Sequence, residues 1–295
     1  MARTCAIVAA LDTKGEEAKL IRDYVASRGL RTLVIDVGVL GQPTIPADVG
    51  RAEVAAAAGD DLAALVASRD KARAMAAMTR GAAVVAARLF SERRLDGIVG
   101  LGGSAGTAIA TSAMRALPVG VPKLVVSTVA AGDTRAYVGT KDVTLMYSVV
   151  DLAGINRLSA RILTNAAGAI VGMIEAEPPK LAERPILAAS MFGNTTPLVD
   201  RARKTLEGAG YEVLVFHATG AGGQTMESLI ADGFVAGVLD VTTTEWADEL
   251  CGGVFGAGPA RLDAAARAGV PQVIAPGCLD MVNFYAPETV PESVS

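Results

Sequence analysis

The residues with the strongest chemical implication lie in one short stretch, Gly102-Gly103-Ser104-Ala105-Gly106-Thr107. An apolar run, Leu95 to Leu101, leads into it, and an alanine-rich segment follows it to Arg115. A buried strand that empties through glycines into a helix leaves the first N–H groups of that helix without acceptors, which makes an anion site, most often for phosphate. Ser104 and Thr107 add hydroxyls for phosphate oxygens or for the water shell of a metal. The same glycines also suit a tight turn and close helix–sheet packing. The stretch is not a Walker A loop, because no lysine stands directly before its Ser or Thr. A cation must come from elsewhere: Lys14, after the first apolar run, and Arg80 are the candidates, each also explicable as a solvated charge at a helix end. Asp12 could orient Lys14, hold a metal or cap the following helix.

A second group of reactive residues lies further along. His217, the single histidine, ends an apolar run beside the glycine-rich segment 219–224, a position suited to general acid–base work near neutral pH. With no partner in the sequence, a lone histidine is more often a structural residue. Cys278, in Pro276-Gly277-Cys278-Leu279-Asp280, could be a nucleophile at a helix N-terminus or an inert buried thiol. Asp240, Glu245 and Asp280, with Thr242 to Thr244, could bind a polar ligand or cap helices.

These residues have to be positioned by alternating strands and helices. Cys5–Leu11 is continuously apolar, as expected of a strand covered on both faces. A polar turn, Asp12 to Gly15, precedes helical spacing from Glu16 to Arg28, which Gly29 ends. Leu30–Val37 is the next strand and carries Asp36 at its end, where dinucleotide-binding folds can hold a ribose hydroxyl; the absence of GxGxxG argues against NAD. The spacing predicts helix over 48–94, divided near 59–61 and 79–81, with Met75 and Met78 facing the core. Strands over 122–128 and 141–151 and a helix over 155–175 follow. The charged, proline-containing segment 177–185 marks a boundary between domains 1–180 and 181–295. The second half repeats the pattern, with strands at 185–192, 211–217, 234–241 and 270–275. The predicted fold class is α/β, with two Rossmann-like domains whose mainly parallel sheets are covered by helices, each with a crevice at its carboxyl edge.

Composition removes several function classes. The chain of 295 residues is 51% hydrophobic, but glycines interrupt its longest charge-free run, 97–114, so no membrane span is expected. A net charge of −4 without a basic tract, and one Trp, five Tyr and six Phe, make nucleic acid an unexpected partner. Three scattered cysteines and one histidine provide no metal-ligand spacing. No signal core forms before Asp12, and reduced thiols fit a cytoplasmic setting.

Taken together, LDTKGEE from Leu11, GLGGSAGTAIATSAMRALPVGVPKLVVSTVAAGD from Gly100, MYSVVDLAGINRLSARILTNAAGAI from Met146 and PGCLDMVNF from Pro276 resemble the tomato-mosaic-virus resistance-protein-like ATP-binding family over essentially the whole chain. The resemblance implies two Rossmann-like domains, ATP in the first and self-association as a dimer, with Mg²⁺ a candidate companion of the nucleotide. It places Asp12, Thr13, Lys14, Asp36, Val37, Arg80, Gly102, Gly103, Ser104, Gly106 and Thr107 at the nucleotide. The family pattern GGSGGT has Gly where this chain has Ala105, whose methyl group could crowd a phosphate. Members continue beyond PGCLDMVNF, so the second domain is expected to be incomplete. The expected function is therefore a cytoplasmic ATP-binding protein of unassigned reaction. The alternative is a metabolic enzyme acting on a small carboxylate or phosphorylated metabolite at the second-domain strand ends, with His217 as acid or base.

Overall fold

A computed structural model describes residues 2–290. The chain divides into two compact units after Pro178. In the first unit, strands β1 (Thr4–Ala9), β2 (Arg31–Asp36), β3 (Gly97–Gly102), β4 (Lys123–Ser127) and β5 (Thr144–Tyr147) form one parallel sheet in the order β2-β1-β3-β4-β5. All residues of β1, β3 and β4 are buried, as continuous apolar runs require of strands sandwiched between helices. On one face, α1 (Leu11–Ser27) and α7 (Arg157–Glu175) pack Ile21, Val25, Leu163 and Ile170 against Ile7, Val99 and Val126. On the other, α2 (Arg51–Ala57), α3 (Leu62–Ser68), α4 (Lys71–Ser91) and α5 (Ser104–Arg115) pack Val54, Leu65, Met78 and Met114 against Val8, Ile35 and Ile98.

The segment expected to be helical over 48–94 is three helices. Asp61 and Asp70 cap α3 and α4, accepting from Ala64 N at 2.8 Å and Arg73 N at 3.0 Å, and Arg69 between them adopts a left-handed conformation. The division expected near Gly81 does not occur; α4 runs through it. Gly81 is required there because a Cβ would come within 1.9 Å of the Val54 carbonyl oxygen, so the glycine allows α2 and α4 to approach closely. The strand expected over 141–151 is confined to β5: Ser148 to Val150 form a tight turn with Val149 at φ 63°, and Val150 N donates to the Ser148 carbonyl at 2.7 Å. A short helix, α6 (Arg135–Val138), precedes β5.

The second unit is a parallel sheet of β6 (Ile186–Met191), β7 (Glu212–His217), β8 (Gly237–Asp240) and β9 (Gln272–Ile274) in the order β7-β6-β8-β9. Helices α8 (Thr196–Gly208), α9 (Ala221–Ala231), α10 (Thr244–Cys251) and α11 (Asp263–Ala268) follow its strands. Its core is two small clusters, one around Met226, Ile230 and Val238 and one around Val199, Val213 and Val241. Both units therefore have the expected architecture. Among the described residues, no helix is long and apolar enough to cross a membrane.

Candidate functional site

In the first sheet the strand order reverses between β1 and β3, so the loops leaving these strands diverge and open a crevice beyond their carboxyl ends. A cavity of about 310 Å³ lies there, at the small end of the range typical of ligand pockets. Its floor is the turn Gly102 to Gly106. The conformation of this turn is built by its glycines: a Cβ on Gly102 would stand 2.7 Å from the Gly106 Cα, so α5 can start directly against the end of β3. Gly103 precedes the first residue of α5 with no side-chain cap. Among the described residues the amides of Ser104, Ala105 and Gly106 have no acceptor, as expected for a first helical turn, while Thr107 N returns to the Gly103 carbonyl at 2.8 Å. Met75, Met78, Ile109, Val39 and Leu40 give the cavity its apolar lining. Lys14, Lys71, Asp12 and Asp151 supply charge.

The residues expected at the nucleotide separate into two groups. Asp12, Thr13, Lys14, Val37, Gly102, Gly103, Ser104 and Gly106 all line the cavity. The turn expected at Asp12 to Gly15 is a short helical turn starting at Leu11, which a kink at Lys14 (φ −132°, ψ 21°) separates from the body of α1. Asp12 does not cap α1. Its Oδ2 accepts from Leu40 N at 2.7 Å and Gly41 N at 3.0 Å, which ties down the loop after β2, while its buried Oδ1 has no hydrogen-bond partner among the described residues. Gly38 accommodates this carboxylate, since a Cβ there would lie 2.7 Å from the Asp12 Cγ.

Asp36, Arg80 and Thr107 do not line the cavity, and each has a local reason. Asp36 is buried, and its Oδ1 accepts from Leu11 N at 3.0 Å and Gly38 N at 2.9 Å, pinning together the loops after β1 and β2. Burial pushes its carboxyl above the ordinary range, and these two amides only partly oppose the shift. Arg80 turns to Asp60, at 2.9 Å. Thr107 is fully buried and bonds Ser127 Oγ at 2.7 Å, joining α5 to β4. Ala105 lines the cavity among the free amides. The cation that α4 brings to the cavity is Lys71, which the sequence reading missed. Its signal was available: residues 71, 74, 75 and 78 follow the spacing of one helical face.

The second unit uses the same grammar with a different result. The glycine-rich turn at the start of α9 is occupied by the protein itself: Glu245 Oε1 accepts from Gly220 N at 2.7 Å and Gly223 N at 3.0 Å. Gly223 must be glycine, because a Cβ would come within 2.1 Å of the Glu245 Oε2. Glu245 is held from the other side by Arg261 Nε at 2.7 Å, while Arg261 also makes a two-pronged pair with Asp240 at 2.6 and 2.7 Å and reaches Glu227 at 3.1 Å. Arg261, Asp240 and Glu245 are essentially inaccessible to solvent. Asp240 and Glu245 are thus engaged internally, and the open second crevice expected from the sequence is filled at this turn. Burial raises the Glu245 carboxyl despite the pairing with Arg261 and the two amides.

His217 is exposed, meets Phe192 edge-on with ring centroids 5.9 Å apart, and makes no side-chain hydrogen bond among the described residues. Among the described residues no acid–base partner is assembled on it. The Cys278 thiol is buried and raised above its ordinary value, first by burial and then by Asp280, so it matches the inert alternative.

These features define the class: two doubly wound, Rossmann-like α/β units, the first with a ligand-type cavity at its topological switch point. The sequence profile of the Uncharacterised protein family (UPF0261) N-terminal domain matches residues 3–179, and that of the C-terminal domain matches residues 184–295. The chain belongs to the UPF0261 family. A UPF0261 protein of Clostridium tetani is 55% identical over 287 residues, which cover 97% of this chain and 71% of that protein. The ToMV susceptible protein tm-1(GCR26) of Solanum lycopersicum is 44% identical over 225 residues, 74% of this chain and 30% of the tomato protein. The resemblance drawn from the four motifs is borne out. Among solved structures, the ligand-free, open structure of the substrate-binding protein CD0873 from Clostridium difficile matches 92% of this chain at 11% identity and a TM-score of 0.28, too distant to inform function.

Proposed function

We propose that the first unit binds a nucleoside polyphosphate, in the first instance ATP, with its phosphates against the turn Gly102 to Gly106. The observation that carries this reading is the set of free amides at Ser104, Ala105 and Gly106, which face a cavity that Lys14 also lines. Oriented N–H groups and the positive end of a helix attract a phosphate, and a lysine neutralises it. The wall of Met75, Met78 and Ile109 suits an apolar ring. Asp12, with its unpartnered Oδ1, and Asp151 are hard oxygen donors of the kind Mg²⁺ takes, so they would hold that ion beside the phosphates, where it supplies charge neutralisation. No reaction follows from these groups.

Dimerisation and a cytoplasmic setting belong to the same proposal, the first checked by sedimentation with and without ATP. A metabolic reaction in the second unit gains no support, since its glycine turn is filled by Glu245 and the His217 ring makes no side-chain hydrogen bond among the described residues. The test is calorimetric melting with ATP and Mg²⁺. ATP at 100 times its Kd should stabilise the first unit by about 2.7 kcal/mol, and no shift at millimolar ATP refutes the reading.

A further inference from the structure

The charge distribution on α4 carries an inference that rests on the polyphosphate reading and goes beyond it. Lys71 is the first residue of this 21-residue helix, the end at which the helix dipole disfavours a cation. The other cations nearby on the helix are compensated: Arg73 and Arg80 lie 3.6 and 2.9 Å from the carboxylate of Asp60. Lys71 has no carboxylate partner among the described residues, and it lines the cavity. The cavity's own carboxylates do not satisfy it. Asp12 receives the amides of Leu40 and Gly41, and Asp151 receives that of Leu152. The same helical face carries Ala74, Met75 and Met78 into the cavity lining, so the register of α4 puts Lys71, itself exposed, at the cavity's edge.

We propose that Lys71 is a second anion-binding cation of this cavity and makes it selective for polyphosphate over monophosphate ligands. One phosphate is satisfied by the free amides of α5; each additional phosphate brings charge that the amides no longer reach, and it requires a separate cation. Lys71 supplies that charge from the opposite element of the cavity.

The test is titration calorimetry of the whole chain with ATP, ADP, AMP and inorganic tripolyphosphate, for wild type, Lys71→Gln and Arg73→Gln. Arg73→Gln makes the same change in net charge two residues away, outside the cavity. Lys71→Gln should weaken ATP and tripolyphosphate by ~10-fold, about 1.4 kcal/mol, and AMP by less than ~2-fold. Arg73→Gln should leave the ratio of ATP to AMP affinity unchanged, and Lys71→Arg should restore it. Wild type that binds ATP while Lys71→Gln keeps the same ratio overturns the role of Lys71 and leaves the nucleotide reading intact. Equal losses in Lys71→Gln and Arg73→Gln also overturn it, by assigning the effect to general charge. Tripolyphosphate binding that depends on Lys71, without any nucleotide binding, supports the cation and refutes the nucleotide. Circular dichroism melts confirm that each variant is folded.

Discussion

Replacing Gly103 by Asp separates fold from ligand, because its two effects should have opposite signs. Gly103 has an ordinary φ of −73°, and a Cβ there would meet only the Thr128 Oγ1, at 3.7 Å, so the side chain fits. The position is the N-cap of α5, which lacks a side-chain cap, and an aspartate is a preferred residue there. Its carboxylate should accept from the free amides and interact with the helix dipole for about 0.3–1 kcal/mol, leaving the unliganded unit as stable as before or slightly more so. The same carboxylate occupies the phosphate position and repels the phosphates. The second unit shows this arrangement already, in the Glu245 carboxylate seated on Gly220 and Gly223.

For wild type, the stabilisation of about 2.7 kcal/mol at 100 times Kd corresponds to roughly 5–10 °C in a unit of this size. The assay is differential scanning calorimetry, because the single tryptophan, Trp246, belongs to the second unit and does not report the first. Gly103→Asp should show no ATP shift. Gly103→Asn, of equal size and uncharged, should retain a measurable part of it. An undiminished shift in Gly103→Asp refutes the turn as the phosphate site, and equal losses in both variants refute the electrostatic argument in favour of bulk.

Other predictions concern the second unit and the thiols. Arg261→Met leaves the buried carboxylates of Asp240 and Glu245 without their counter-charge and should cost about 3–5 kcal/mol, followed by Trp246 fluorescence in denaturant; a loss below about 1 kcal/mol contradicts it. The indole is well placed to report this, since its Nε1 donates to the Arg261 carbonyl at 3.1 Å. Burial already raises the Glu245 carboxyl, and losing Arg261 raises it further, so the folded variant takes up protons. Its stability should therefore recover as pH falls towards the ordinary carboxylate range and decline as pH rises; the reverse slope would count against the assignment. Iodoacetamide near pH 8 should label exposed Cys251 and spare Cys278 and Cys5, whose thiol burial pushes up to about 12, with all three labelled after denaturation by mass spectrometry. His217→Ala should change stability by less than about 1 kcal/mol and leave the ATP shift unaltered, as measured by the same melts.

The sequence alone determined the buried strands β1 and β3 and the glycine turn, because both are local. The apolar runs in β1 and β3 have no polar face, which a strand covered on both sides requires, and Gly102 to Gly106 form a turn whose shape depends on neighbouring residues only. What each charged group does was decided by tertiary structure. Asp36 stands at the strand end where a ribose contact was expected, yet its carboxylate meets the amides of Leu11 and Gly38, one of them 25 residues away. Arg80 and Lys71 lie on one helix, and only the packing of α4 determines that Asp60 takes the arginine while the cavity receives the lysine. The two glycine-rich turns looked alike as sequence. One is open in the first unit and the other is filled in the second, because Arg261 folds back to hold Glu245 on its amides, a contact between residues too far apart for local pattern to reveal.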